Sequence, residues 1–189
     1  MESEINKLVS NLHNKVHNIR VLTKFTDFKT RLQFANSFIV GKLNYMLPLY
    51  SNLTVFNFHK LHKLLMTAAR VVVGNYCYKK SCKYILDKCK WMNIGDMIKY
   101  RGLSFLHKIL TTHQPTSLFN LFKTNRHNRG ISMVTLKHIP KSKKFTNFFI
   151  NKYISTYNSL DLTIKRKSLS QFKKEIKQWI PSHPSDTMD

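Results

Sequence analysis

Between Thr54 and Gly74 the residues Phe58, Leu61, Leu64, Leu65, Ala68, Ala69 and Val72 recur at helical spacing. A strand alternates faces at every residue, so this pattern belongs to one stripe of an α-helix. Thr54 is placed to cap its N-terminus, and Gly74 to let the chain turn out of it. His59, Lys60, Lys63 and Arg70 fall off the stripe. The helix is therefore amphipathic and must be covered by neighbours.

Those neighbours are legible on either side. Ile5, Leu8, Leu12, Val16 and Ile19 make one face of a helix over residues 4–19, with Ser3 as a plausible cap. A second helix starts at Thr26 and Asp27, Thr26 as N-cap and Asp27 near the positive helix end. Its stripe is Phe28, Leu32, Ala35, Phe38, Ile39 and Leu43, and Pro48 ends it. Beyond the central helix, a link with Tyr76, Tyr78, Lys79 and Lys80 leads to a short helix from Ser81 towards Trp91. A helix over 94–111 carries Ile94, Met97, Ile98, Leu103, Leu106, Ile109 and Leu110. Helices over 145–157 and from Ser168 follow, the last opening with a Ser-x-x-Gln capping box and stopped by Pro181.

The expected fold is mainly α: a helical bundle over 1–122, a basic loop over 123–144 with at most a short strand or hairpin, C-terminal helices over 145–181, and a disordered tail over 182–189. One short strand is expected around 131–136. Five glycines and five prolines suit helices better than a sandwich of many short strands.

The charge narrows the partners. Thirty-two Lys and Arg face nine Asp and Glu, a net +23. Such a chain repels itself unless a polyanion neutralises it, which points to nucleic acid. An anionic membrane surface, or a Lys- and Asn-rich proteome, would also yield basic charge. No apolar run approaches a membrane span. With no signal-peptide pattern at the N-terminus, an intracellular protein of nucleus or cytoplasm is expected, not a secreted one. Cys77, Cys82 and Cys89 are too few for a disulfide framework and suit a reducing compartment.

Catalytic chemistry finds little footing. Nucleotidyl transfer holds metal ions with closely placed carboxylates, whereas Asp27, Asp87, Asp96, Asp161 and Glu175 are isolated. The glycines never cluster into a phosphate-cradling loop. His59-x-x-His62 with Cys77, Cys82 and Cys89 lacks a standard zinc spacing; the plainer expectation is two solvated histidines and cysteines packed as small hydrophobes. The expectation is a non-enzyme without metal or cofactor. Basic residues interleaved with aromatics remain, since phosphates attract Lys and Arg while unpaired bases stack on flat side chains. For Tyr45 and Tyr84 a core position is expected instead.

The order of these features resembles the region downstream of the polymerase palm in reverse transcriptases of LINE-type (non-LTR) retrotransposons. Ser37, Ile39, Leu43 and Tyr45 match S-x-I-x-x-x-L-x-Y, followed by Pro48-Leu49-Tyr50. Leu61 to Arg70 matches L-x-x-x-Q-x-x-A-x-R without its Gln. Trp91, Ile94, Ile98, Tyr100 and Arg101 match W-x-x-I-x-x-x-I-x-Y-R, and Leu106–Leu110 an L-x-K-I-L ending. Arg126, Arg129 and Gly130 stand for an Arg- and Gly-bearing loop. Phe148-Phe149, Tyr157-Asn158-Ser159-Leu160 and Ser168 to Trp179 resemble the close. The likeness spans about residues 4–180 and implies thumb-like helices that hold template and primer. It brings no catalytic Asp-Asp pair, so a palm upstream or on a separate chain is the implied partner.

The residues expected to contact RNA, DNA or an RNA–DNA duplex are Lys42, Lys63, Arg70, Lys79, Lys80, Lys83, Arg101, Arg126, Arg129, Lys137, Lys141, Lys143 and Lys144. The competing reading is a non-catalytic scaffold, or a retroelement relic whose charge reflects genome composition.

Overall fold

The structure, a computed structural model, describes residues 2–46, 53–74, 80–127, 130–137 and 149–182. It is mainly helical, with one small antiparallel hairpin among the described residues. The chain divides into two compact units, one reaching to Met46 and resuming over Leu53–Met97, the other beginning at Ile98.

The first unit is built round the central stripe. Helix α1 spans Glu2–Leu22, α2 Phe28–Ala35, a π-helical turn Asn36–Val40, α3 Gly41–Met46, α4 Val55–Val73 and α5 Cys82–Cys89. Thr54 caps α4 as expected, its hydroxyl accepting from the Asn57 N–H at 3.3 Å. At the other end Gly74 adopts φ 106°, open to glycine and costly for other residues. α1, α2 and α5 pack against α4, so its burial is wider than one stripe: Met66 and Val71 are covered along with Leu61, Leu64, Leu65, Ala68, Ala69 and Val72. Truncating Leu64 or Leu65, each fully buried, to Ala would cost about 2–5 kcal/mol. On α1 the expected face Ile5, Leu8, Leu12, Val16 and Ile19 is the buried one.

Two details of α2 and α3 differ from expectation. Asp27, not Thr26, is the N-cap: its carboxylate accepts from the Thr30 N–H at 3.0 Å, and hydrogen bonding from the Thr30 side chain and backbone holds its pKa below the usual value. Thr26 instead donates its hydroxyl to the Leu22 carbonyl, finishing α1. Phe28 and Phe38, read as core, are 38% and 50% exposed. The Gly41 N–H reaches five residues back to Asn36. That wider turn keeps Ala35, Ile39 and Leu43, spaced by four, on one buried line and rotates Phe38 outward onto Phe34.

Long-range polar contacts fix this unit. The Arg31 guanidinium donates to the carbonyls of Val72, Thr23 and Thr26 at 3.1, 3.2 and 2.7 Å, satisfying an orphan carbonyl in the last turn of α4. The indole N–H of buried Trp91 donates to Asn36 Oδ1 at 2.8 Å.

The second unit holds most of α6 (Ile94–Thr112), α7 (Thr116–Phe119), β1 (Phe122–His127), β2 (Gly130–Leu136), α8 (Phe149–Asn158), α9 (Leu162–Lys165) and α10 (Leu169–Ser182). The hairpin occupies most of the expected basic loop, and its first strand, β1, was not legible in the sequence. Its register pairs Phe122 with Leu136 and Thr124 with Val134, with a bulge beside Asn125 and Arg126. Phe122 and Val134 point into the core with Leu103, Leu106, Tyr153, Tyr157, Phe172 and Ile176.

His107 lies fully buried in that core. Its ring stacks on Phe172 with centroids 3.8 Å apart, Nδ1 lies 3.0 Å from the Tyr157 hydroxyl, and Nε2 lies 3.0 Å from the Lys167 carbonyl. A carbonyl only accepts, so Nε2 carries the proton and Nδ1 accepts from Tyr157. Burial holds the His107 pKa below the usual histidine value, against a smaller upward pull from the Lys167 carbonyl. At neutral pH the imidazole is therefore uncharged.

Candidate nucleic-acid interface

At helix α5 two lysines stand about one aromatic ring, and one of them, Lys80, is an expected contact. Ser81 caps the helix, accepting from the Tyr84 N–H at 3.3 Å. Ile85, Leu86 and Cys89 turn inward against α4 and are buried. Tyr84 and Lys88, spaced by four, share the outer face of α5, and Lys80 stands just before the Ser81 cap. Tyr84 is 41% exposed, and the ammonium groups of Lys80 and Lys88 each lie 5.7 Å from its ring centroid. Both are within the roughly 6 Å reach of a cation–π contact. Lys83, also exposed, adds a third cation to the helix.

The core position expected for Tyr84 is therefore wrong, and so is that of Tyr45, 82% exposed on α3. Tyr84 was missed as a site residue because its neighbours Ile85 and Leu86 suggest burial. The signal that could have found it is the four-residue spacing of Tyr84 and Lys88, with Lys80 just ahead of the Ser81 cap. Lys88 was missed with it.

The other expected contacts are dispersed. Lys42 on α3 and Lys63 on α4 are exposed. Arg70, in the last turn of α4, is half-buried, with its Nε enclosed. In the second unit Arg101 sits half-buried on α6 with its guanidinium 5.8 Å from the Tyr100 ring. Arg126 lies on β1 beside the bulge, and Lys137, just past β2, is exposed. Lys79, Arg129, Lys141, Lys143 and Lys144 lie outside the described residues, as do Tyr76, Tyr78, Cys77, Pro48 and the start of the helix expected at 145.

Four of the described carboxylates serve the architecture. Asp27, Asp96 and Asp161 stand at the starts of α2, α6 and α9, where the helix dipole favours negative charge. Asn93 and Asp96 bond reciprocally: the Asp96 N–H donates to Asn93 Oδ1, and Asn93 Nδ2 to Asp96 Oδ2, each at 2.8 Å. Glu175 pairs with Lys167 at 2.6 Å. Among the described residues no three His, Cys, Asp or Glu side chains converge on a possible metal position. His59 is exposed, but His62 is half-buried and stacks on Phe58, and burial lowers its pKa. Cys89 is buried with its thiol 3.9 Å from the Ala69 carbonyl. Cys82 departs from the expected packing and is exposed.

Among the described residues no helix is long and apolar enough to cross a membrane. No protein-family model, curated protein or solved structure matches the chain.

Proposed function

We propose that this chain is a non-catalytic, nucleic-acid-binding helical module that holds RNA, DNA or an RNA–DNA template-primer through Lys and Arg contacts to phosphates. The observation that carries this reading is the charge. With 32 Lys and Arg against nine Asp and Glu, at least 23 cations have no carboxylate of the chain's own to neutralise them. Of the described acids, Asp27, Asp96 and Asp161 sit at helix starts, Glu175 pairs with Lys167, and exposed Glu4 and Asp87 are outnumbered by the exposed lysines, most of which are left for an external polyanion. Counterion release from that polyanion would drive association.

The likeness of motif order to the post-palm region of LINE-type reverse transcriptases supports the same reading, with the catalytic palm supplied from elsewhere. The test is binding to an RNA–DNA duplex at low salt. Measurable affinity that collapses as salt rises supports the proposal, and no binding at low salt overturns it.

A second reading, a scaffold or retroelement relic, draws on one observation. The exposed lysines are spread over both units, including Lys174 and Lys177 on α10. A basic composition inherited from the genome would scatter them in that way.

A further inference from the structure

We infer that the outer face of α5 is a stacking platform for one unpaired base of a single-stranded nucleic acid, with Tyr84 beneath the base and Lys80 and Lys88 on its flanking phosphates. This rests on the nucleic-acid reading and names the form of polymer that this site takes.

The geometry separates Tyr84 from the work of folding. Ile85, Leu86 and Cys89 supply the buried side of α5, Ser81 supplies its cap, and Lys90 and Trp91 close its end. The Tyr84 side chain contributes to none of these, and 41% of the residue is open to solvent. A large aromatic ring left out of the core on a rigid helix, between two cations, is suited to a flat, anionic partner. The lysine stems are flexible, and cation–π attraction at an exposed site is weak. Both ammonium groups, each 5.7 Å from the ring centroid, can therefore exchange the ring for a phosphate.

Strandedness follows from access. In a duplex each base face is covered by its neighbours, and a side chain on a convex helix reaches only phosphates and groove edges. An unpaired base offers its whole face, and stacking tolerates any base because each has a π surface. Lys63 and Lys137, both exposed, serve either form of polymer through charge alone.

The experiment measures fluorescence-anisotropy affinities of the full chain for four probes. They are a single-stranded RNA of about 12 nucleotides, within the footprint usual for such sites, an abasic strand of equal length, an RNA–DNA duplex, and anionic lipid vesicles. Tyr84→Ala should weaken single-strand binding by about 5- to 150-fold, the range of one lost base stack, while leaving abasic-strand and duplex affinity unchanged. Tyr84→Leu, which keeps apolar bulk without a π face, should lose as much, and Tyr84→Phe should retain binding. Replacing Lys80 and Lys88 with Ala should weaken binding to all three nucleic-acid probes and flatten the salt dependence. Equal single-strand affinity for wild type and Tyr84→Ala overturns the platform and leaves the broader reading standing. No binding to any nucleic acid at low salt, or binding to vesicles alone, overturns both.

Discussion

The side-chain amide of Asn158 grips the backbone of Val134 at both of its polar groups. Its Oδ1 accepts from the Val134 N–H and its Nδ2 donates to the Val134 carbonyl, each at 2.9 Å. Val134 pairs with Thr124 on its other side, so Asn158 takes the place of a third strand at the free edge of β2. An open edge would leave these groups unpaired or ready to join another chain.

Asn158→Ala is expected to cost about 1–3 kcal/mol, because it strands both backbone groups of a buried residue. Asn158→Asp should lose a similar amount, since a carboxylate cannot donate to the Val134 carbonyl and repels it. Denaturant unfolding checks the size, and hydrogen exchange at the Val134 amide checks the place. Unchanged exchange in both variants would contradict the assignment.

Gly102 on α6 is needed for its lack of a side chain. A Cβ there would lie 2.2 Å from a ring carbon of Tyr153, which is itself buried at 3% exposure. The ring is rigid and enclosed, so Gly102→Ala should destabilise by about 1–3 kcal/mol through overpacking, despite alanine's better helix propensity. A Tm equal to or above wild type would show that Tyr153 moves freely.

Lys90 ends α5 in the left-handed region, with φ 55°. Its N–H bonds the Asp87 carbonyl at 3.0 Å and the Trp91 N–H bonds Leu86 at 2.9 Å, which is a Schellman closure. Glycine adopts this conformation without Cβ strain, so Lys90→Gly should stabilise by up to about 1 kcal/mol while removing a surface charge. Thermal melts would show it. A lower Tm would mean that the Lys90 side chain matters more than its backbone.

Acid should weaken the second unit through His107. Its pKa in the folded chain lies below the ordinary 6.5, so as pH falls through about 6.5 the unfolded chain takes up a proton that the folded chain refuses. Stability is therefore complete above that pH, declines as pH drops below it, and levels off beneath the folded-state pKa. The slope from this group is at most about 1.4 kcal/mol per pH unit. His62, on α4 of the first unit and also shifted downward by burial, makes that unit acid-sensitive with the same sign. Melts between pH 8 and pH 5 test this, with His107→Gln expected to flatten the dependence; an identical profile in that variant would contradict it. (The pH range brackets the ordinary histidine value of about 6.5.)

What the sequence disclosed and withheld follows from the range of the forces involved. The stripe of α4 and its Thr54 cap are local, set by spacing and one hydroxyl, and both were legible. The outward turn of Phe38 depends on the π turn at Asn36–Val40, for which no residue type is a marker. Strand β1 reads FKTNRH, a polar run without clear alternation, and its pairing with β2 and the Asn158 bracket are visible only once distant residues meet. Lys80 and Lys83 were found by type, whereas Tyr84 and Lys88 required knowing which face of α5 packs against α4.

The most direct test of the nucleic-acid reading is the slope of log Kobs against log salt concentration for the full chain on an RNA–DNA duplex. Each phosphate contact should contribute about −0.9 on a B-form duplex and a comparable amount here, so a steep negative slope of several units is predicted. A flat line, or no binding at low salt, would contradict the account.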